Sequence, residues 1–484
     1  MPPTKRASFN LSALASRAAA ENGFATDTPP WQATDARSSG GDGEVRDLRS
    51  LLWSSIDNAE SRDLDQVEYA ARESDGEIRL LVGIADVDAF VLRDSRIDAH
   101  AAGNTTSLYT GVAVFPMLPV ELSNDLTSLL PQTDRLAVVM EFVIAEDGAI
   151  TAPNVFRATV RNGAKLDYES VGAWLEGRGP APDELVRSRA LEEQLRLQDE
   201  ARGRLREFRR RSGALEFESI EARPVVVAGR VVDLHVAAKN RARELIECFM
   251  VAANGAMAGF LSAHGSPMIQ RIVRTPKRWD RIAAIAASFG TSLPTEPNSP
   301  ALAEFLATRK EAAPERFAEL SLAIVKLLGP GEYAVLRPGG EAEGHFGLAV
   351  HDYTHATAPN RRYVDLVTQR LVKAALRREP PPYSDAELIR IAEHCNERAH
   401  AARKLERFMR KAAAAALLAA RIGESFDGII TGATPKGVFV RLLAPAAEGR
   451  VVRGEHGLDV GERVRARLLS TDPERGFIGF ERLG

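Results

Sequence analysis

The chain has 484 residues, enough for two or more domains, and its 45% hydrophobic and 27% charged content exclude disorder along the whole length. Its 63 basic and 66 acidic residues leave a formal charge of -3, so any contact with nucleic acid must come from local basic patches. The two cysteines, Cys248 and Cys395, stand in no metal-ligand spacing, which predicts a reducing, cytoplasmic location and no disulfide-linked partner. The chain opens on no secretory h-region and has no run of about eighteen apolar residues, so no membrane span is expected.

Residues 22 to 46, rich in Gly, Pro, Ser, Thr and Asp, have the composition of a flexible lead-in, and residues 1–45 are taken as a flexible N-terminal segment. From there to about 160, apolar runs such as "IRLLVGIADV", "LAVVMEFVI" and "NVFRATVRN" alternate with turns and predict strands. From 183 to 213, leucines at helical spacing among charges, followed by Gly213, predict one long amphipathic helix. "NRARELIECFMVAANGAMAGFLSA" is apolar around most of its circumference and reads as a buried core helix. Further helices are expected at about 278–289, 300–310, 314–328, 363–377 and 385–422. Strands followed by helices make the body α+β over 46–422. After it, five short strands joined by Gly and Pro turns, with Gly437 in the first hairpin, predict a small closed barrel over 423–484.

Three stretches carry chemistry. "SSIDNAESRDLDQVEYAA" places Asp57, Asp63 and Asp65 within nine residues, where like charges repel unless solvent or a cation relieves them. A calcium loop starting at Asp63 fails, because Val67 and Glu68 stand where an oxygen ligand and a glycine are needed. A solvated turn and a magnesium site remain, and the hydrophobic strand that follows favours the metal, because it part-buries the cluster. "HFGLAVHDYTHATAPNRRYVDLVTQR" sets Arg361 and Arg362 at a helix N-terminus, a natural phosphate site. One of the two is expected to pair with Asp365, leaving the other for phosphate. "NTTSLYTGVAVFPMLPVELSNDLTSLL" offers Tyr109, either as packing or as a ring on which a base stacks. Carboxylates for magnesium and an arginine for phosphate together are what phosphoryl-transfer chemistry requires.

These stretches, together with "RRRSGALEFE", "RELIECFMVAAN" and "ARKLERFM", run in one order and resemble the ribonuclease II/R (RNB) family of exoribonucleases over residues 45 to 410. The resemblance implies an RNB catalytic domain, a mixed sheet surrounded by helices, followed by an S1-like OB-fold barrel that binds RNA. It implies a magnesium-dependent enzyme that degrades single-stranded RNA from the 3′ end to nucleoside 5′-monophosphates. The family's acidic motif falls on Asp57, Asp63, Asp65 and, in its last place, Gln66. The catalytic arginine falls on Arg361, the stacking tyrosine on Tyr109, and a late RNA-contacting glutamate on Glu406.

The chain departs from the family pattern in three places. Gln66 replaces a fourth aspartate and offers a carbonyl oxygen without charge. One charge pair at 4 Å is worth roughly 4 kcal/mol at an effective dielectric of 20, so metal binding is expected to weaken. Three carboxylates balance one magnesium more than fully, so one firmly held ion is expected, with a second, weaker one possible. "TAPNRRY" puts Ala358 and Asn360 where the family commonly has Ser and Ile, which reads as tuning. The residues ahead of the catalytic domain are too few for the cold-shock barrels of many bacterial members, which predicts weaker hold on long RNA. In the terminal barrel, Phe426 is expected in the core, whereas Phe439 and Arg441 are the candidates for RNA contact. The arginines of "REFRRRSG" meet a helix C-terminus and are open to an RNA-channel role as well. The rival reading is a catalytically silent RNA-binding protein that lost turnover with the fourth carboxylate.

Overall fold

The longest apolar runs form the centre of the molecule. β1 (Val45–Asp47), β2 (Trp53–Asp57), β3 (Gln66–Arg72) and β4 (Ile78–Ala85) precede a short hairpin of β5 (Leu108–Tyr109) and β6 (Val114–Phe115) and the long pair β7 (Asp134–Ile144) and β8 (Ile150–Asp167). The structure, a computed structural model, describes residues 9–32, 44–218, 222–227, 229–236, 239–434, 437–458 and 460–483. The main sheet runs in the order β1-β8-β2-β3-β4-β7. β8 pairs antiparallel with β7 through Arg161 and then parallel with β2 from Asn162 to Asp167, so one strand closes the sheet back on itself. Seven of the eight β4 residues are buried, as expected of a strand covered on both faces. β3 is antiparallel to both β2 and β4, so the end of β2, the start of β3 and the end of β4 lie along one edge.

Helices cover this sheet. α1 (Leu11–Glu21) comes first, and α2 (Arg96–Asn104) follows β4. The single helix expected over 183–213 is two, α4 (Asp183–Arg187) after α3 (Tyr168–Leu175), then α5 (Arg189–Arg211). The break falls at Ser188, whose extended backbone and side chain cap α5 by accepting from the Leu191 N–H. α6 (Arg241–Ala263) is long and apolar enough to span a membrane, and 61% of its most apolar window is buried inside the fold, as the core-helix reading expects. α7 (Trp279–Ser288), α8 (Ser299–Ala312), α9 (Pro314–Leu328), α10 (Tyr363–Leu376) and α11 (Asp385–Leu418) occupy the expected places. Missed in the sequence were the hairpin β9 (Ala222–Val227) and β10 (Arg230–Val236), and the pair β11 (Met268–Ile272) and β12 (Glu332–Leu336).

A flexible segment over 1–45 does not hold for its described part. Asn10 caps α1, and Leu11, Leu14, Ala15, Ala18, Ala19 and Phe24 are buried in a cluster with Leu108, Phe115, Leu405 and Met409. A helical stripe of small and branched apolar residues, overlooked beside the polar run that follows, accounts for this packing. Residues 33–43 lie outside the described residues.

β13 (Ser425–Thr434), β14 (Gly437–Leu442), β15 (Glu448–Arg453), β16 (Arg463–Asp472) and β17 (Phe477–Leu483) close into a barrel in the order β13-β14-β15-β17-β16. Phe426 lies in its core, 6% exposed, as expected. Gly449 admits no side chain, since a Cβ there would stand 2.6 Å from the Ile478 carbonyl oxygen. α11 carries a capping box at Ser384 and Glu387, and its far end packs Ala414, Ala415 and Leu418 into the barrel core.

Candidate active site

The shared edge of β2, β3 and β4 gathers the acidic motif. Asp57 ends β2, Asp65 precedes β3, and the Asp65 carbonyl accepts from the Ala85 N–H at 2.9 Å, tying the loop to the end of β4. Asp65 is 4% exposed. Its Oδ1 accepts from the Asn360 N–H at 3.3 Å and its Oδ2 stands 3.4 Å from Arg361 Nε. Burial lifts its pKa from 3.8 to about 7, with Arg361 pulling the other way and Asp63 adding to the rise. Burial raises Asp57 as well, against hydrogen bonds from the Asn58 N–H at 2.6 Å and Ser61 Oγ at 2.9 Å. Asp63 Oδ2 accepts from Tyr109 Oη at 3.2 Å, and Glu406 Oε1 accepts from the Tyr109 N–H at 3.3 Å. The β5–β6 hairpin thus stands between the acidic loop and α11, with the Tyr109 ring 43% exposed.

Of the two arginines, Arg362 pairs with Asp365 at 2.7 Å while Arg361, with a side chain 45% exposed, faces Asp65. The division expected from sequence is therefore present, and Arg362, with its side chain 23% exposed, is held against Asp365 while lining a cleft that Glu406 also borders. Asp365 explains the geometry, because the same oxygen accepts from the Ala358 N–H at 2.8 Å and fixes the turn entering α10. Asn360 is buried beside it, and its Oδ1 accepts from Thr127 Oγ1 at 2.6 Å. Gln66 is buried with its amide donating to the Ile56 carbonyl at 3.4 Å. Arg441, the barrel's candidate, is bonded to the buried Glu319 of α9 and serves as an internal clasp. Phe439 is half-buried with Lys411 of α11 5.7 Å over its ring.

The three aspartates are neighbours but do not close on one point: among the described residues no three His, Cys, Asp or Glu side chains converge to hold a metal ion. Asp57 is turned to Ser61, Asp63 to Tyr109 and Asp65 to Arg361. The donor chemistry still suits a hard divalent cation, since every candidate ligand is a carboxylate oxygen. The raised pKa values of Asp57 and Asp65 mark negative charge that a nearby cation would stabilise.

Three neighbours of this site were missed in the sequence. Tyr168 follows Asp167, the residue that pairs with Asp57 across the β2–β8 ladder, and the only signal for it lies in that register. Arg243 lies 4.4 Å over the Tyr168 ring and reaches Asn58 Oδ1 at 3.4 Å. Glu68, on the strand leaving the motif, is fully buried. Arg243 also borders a cavity of about 950 Å³ walled by Arg206, Arg209, Phe217 and His345.

The RNB domain model matches residues 45–378, and the model of the C-terminal S1 domain of RNase II-type exonucleases matches 424–483. The chain is 29% identical over 468 residues to ribonuclease R 1 of Lactococcus lactis, covering 90% of this chain and 56% of that relative. It is 31% identical over 410 residues to ribonuclease R of Escherichia coli, covering 82% of this chain and 49% of that relative. It thus spans about half the length of these curated relatives. In fold it matches the Mycoplasma genitalium RNase R solved with ribose-methylated single-stranded RNA, with a TM-score of 0.84, 23% identity and coverage of 98% of this chain and 78% of that one. With the domain model spanning more than half of its residues and the motif side chains gathered at one sheet edge, the chain belongs to the RNB-domain family.

Proposed function

We propose that this chain is a 3′–5′ exoribonuclease that hydrolyses single-stranded RNA to nucleoside 5′-monophosphates. The observation that carries the reading is the exposed Arg361 beside the buried Asp65, with Tyr109 hydrogen-bonded to the neighbouring Asp63 and, through its backbone, to Glu406. An arginine fixed against a carboxylate at the rim is placed to meet charge developing on a phosphodiester. Tyr109 offers a face for the terminal base, and its hydroxyl and backbone tie that face to the acidic loop and to α11. Asp57, Asp63 and Asp65 are the residues that would hold magnesium, with one ion held firmly and a second possible. When bound, magnesium would supply charge neutralisation and an activated water. The likeness to ribonuclease R proteins supports this reading, and two buried free thiols, Cys248 and Cys395, suit a cytoplasmic enzyme.

The experiment is a 5′-labelled oligoribonucleotide incubated with the purified chain, with magnesium and with chelator. Stepwise shortening only with magnesium is expected, and lost in Asp65→Asn while RNA binding persists. Binding without shortening in either condition selects the silent RNA-binding protein instead.

A further inference from the structure

Neighbouring residues of an extended backbone send their side chains to opposite sides, and Arg362, with φ -139° and ψ 121°, is extended and bridges Thr106 in antiparallel fashion. Arg361 turns to Asp65. Arg362 lines a cleft of about 230 Å³ on whose wall stand Arg271 of β11, Arg403 and Glu406 of α11, Thr105 and His355, and to which neither Arg361 nor the three aspartates belong. Three guanidinium groups thus share one small space. Arg362 is paired with Asp365, yet its Nε is buried without a hydrogen-bond partner. Among the described residues no acid forms an ion pair with Arg271 or Arg403.

Arg271 is held in place, because its guanidinium lies 4.8 Å over the ring of Tyr333, its cross-strand partner on β12, and Gly331 leaves room for it. Tyr333 is fixed in turn. Its hydroxyl stands 2.9 Å from His355 Nδ1, and its backbone is bonded in both directions to the Asn396 side chain of α11. Burial, opposed by Tyr333 and joined by the like charges of Arg403 and Arg362, lowers the Arg271 pKa. Like charges gathered in a part-buried cleft cost stability unless an anion relieves them. Guanidinium forks match the oxygens of phosphate two at a time, and Thr105, buried in the same wall, carries a hydroxyl that can donate. The cleft is smaller than the about 300 Å³ at which pockets for whole small molecules begin, which favours a single phosphate group over a run of RNA. We propose that this cleft is a second anion site, in which Arg271, Arg362 and Arg403 bind a phosphate dianion, either free or as the phosphate of a nucleoside 5′-monophosphate. The assignment goes beyond the nuclease reading, since it needs neither metal nor cleavage.

The test titrates the full chain in a calorimeter, with chelator present, using inorganic phosphate and, separately, AMP. Saturable binding is expected. Tighter binding of AMP than of inorganic phosphate assigns the nucleotide as the source, and equal or weaker binding of AMP assigns free phosphate. Arg271→Gln and Arg403→Gln should each weaken binding about ten-fold or more, the scale of a lost hydrogen bond between charged groups, whereas Arg361→Gln should leave it within about two-fold. The proposal is overturned by affinity within about two-fold of wild type in both folded cleft variants, or by loss of binding in Arg361→Gln, which places the phosphate at the acidic edge. It is equally overturned if a 5′-hydroxyl oligoribonucleotide displaces the phosphate, which makes the cleft part of an RNA path. Should Arg271→Gln fail to fold by circular dichroism, Arg403→Gln, at an exposed position of α11, is judged by the same criterion. A wild-type chain that shortens RNA but binds neither ligand up to about 10 mM sinks only the second site, and one that binds phosphate but shortens no RNA sinks only the nuclease reading.

Discussion

Two groups of buried acids lie along one edge of the same sheet and are treated in opposite ways. Asp86, Asp88 and Asp98, just beyond β4, are enclosed with Arg157, Arg370 and Lys373. Arg370 bonds Asp88 at 2.9 Å, Asp98 at 2.8 Å and the Tyr383 hydroxyl at 2.7 Å, and Lys373 reaches Asp86 at 3.1 Å and Asp88 at 3.0 Å. One and two strands away, at β3 and β2, Asp65, Glu68 and Asp57 are buried or half-buried with Arg361 as the nearby cation, and all three pKa values are raised. The paired group pins α10 to the sheet, and α10 in turn carries Arg361 at its entrance. In the underpaired group burial disfavours the charged carboxylates, a cost in stability that a ligand cation would remove. Such strain is characteristic of functional sites.

The contrast is broken most directly at Arg370. Arg370→Met should strand Asp88 and Asp98 inside the fold and destabilise by about 3–5 kcal/mol, read from denaturant midpoints. A loss below about 1 kcal/mol would mean that the network is not the anchor it appears from its bonding.

Neutralising one acid in each group should move stability in opposite directions. Asp65 titrates near 7 in the fold against an ordinary 3.8, so the folded chain holds an extra proton between those values and loses stability as pH rises through that window. With chelator present, Asp65→Asn should therefore gain stability on the order of 4 kcal/mol at pH 8 and almost nothing at pH 4. Asp98→Asn, whose carboxylate is bonded to Arg370 and to the Asp94 N–H, should instead lose about 1–3 kcal/mol. Thermal melts across pH distinguish the two, and equal signs would collapse the comparison.

The smallest effect is expected at Tyr109→Phe. Deleting a hydroxyl that meets Asp63 at a half-exposed rim should change stability by less than about 1 kcal/mol. The ring face is retained, so under the proposed nuclease reading the RNA end products should stay the same length, which gel analysis would show.

Much of the fold was legible because burial leaves a periodic trace. The β4 run, the core helix α6 and the five barrel strands were placed from apolar spacing and turn residues alone. The packed α1 was overlooked because its apolar stripe is short and precedes a polar run, and Ser188 divides a helix whose leucine spacing runs straight through the break. Within the site, helical spacing predicted that one of the two arginines pairs with Asp365 but not that it is Arg362, and the clasp between Arg441 and Glu319 joins residues 122 apart and leaves no local signature.

The sequence alone determined the kinds of group available: three aspartates in one loop, two arginines at a helix start, and a barrel after the last helix. These depend on residue type and near-neighbour spacing, which a linear chain carries in full. Tertiary structure decided which charges meet. Only the closing of β2 against β3 sets Glu68 opposite Ser54 with neither bonded, and only the docking of α10 and α11 on the sheet edge brings Arg361 to Asp65 and Glu406 to Tyr109, because desolvation and Coulomb energy depend on distance through space and not along the chain.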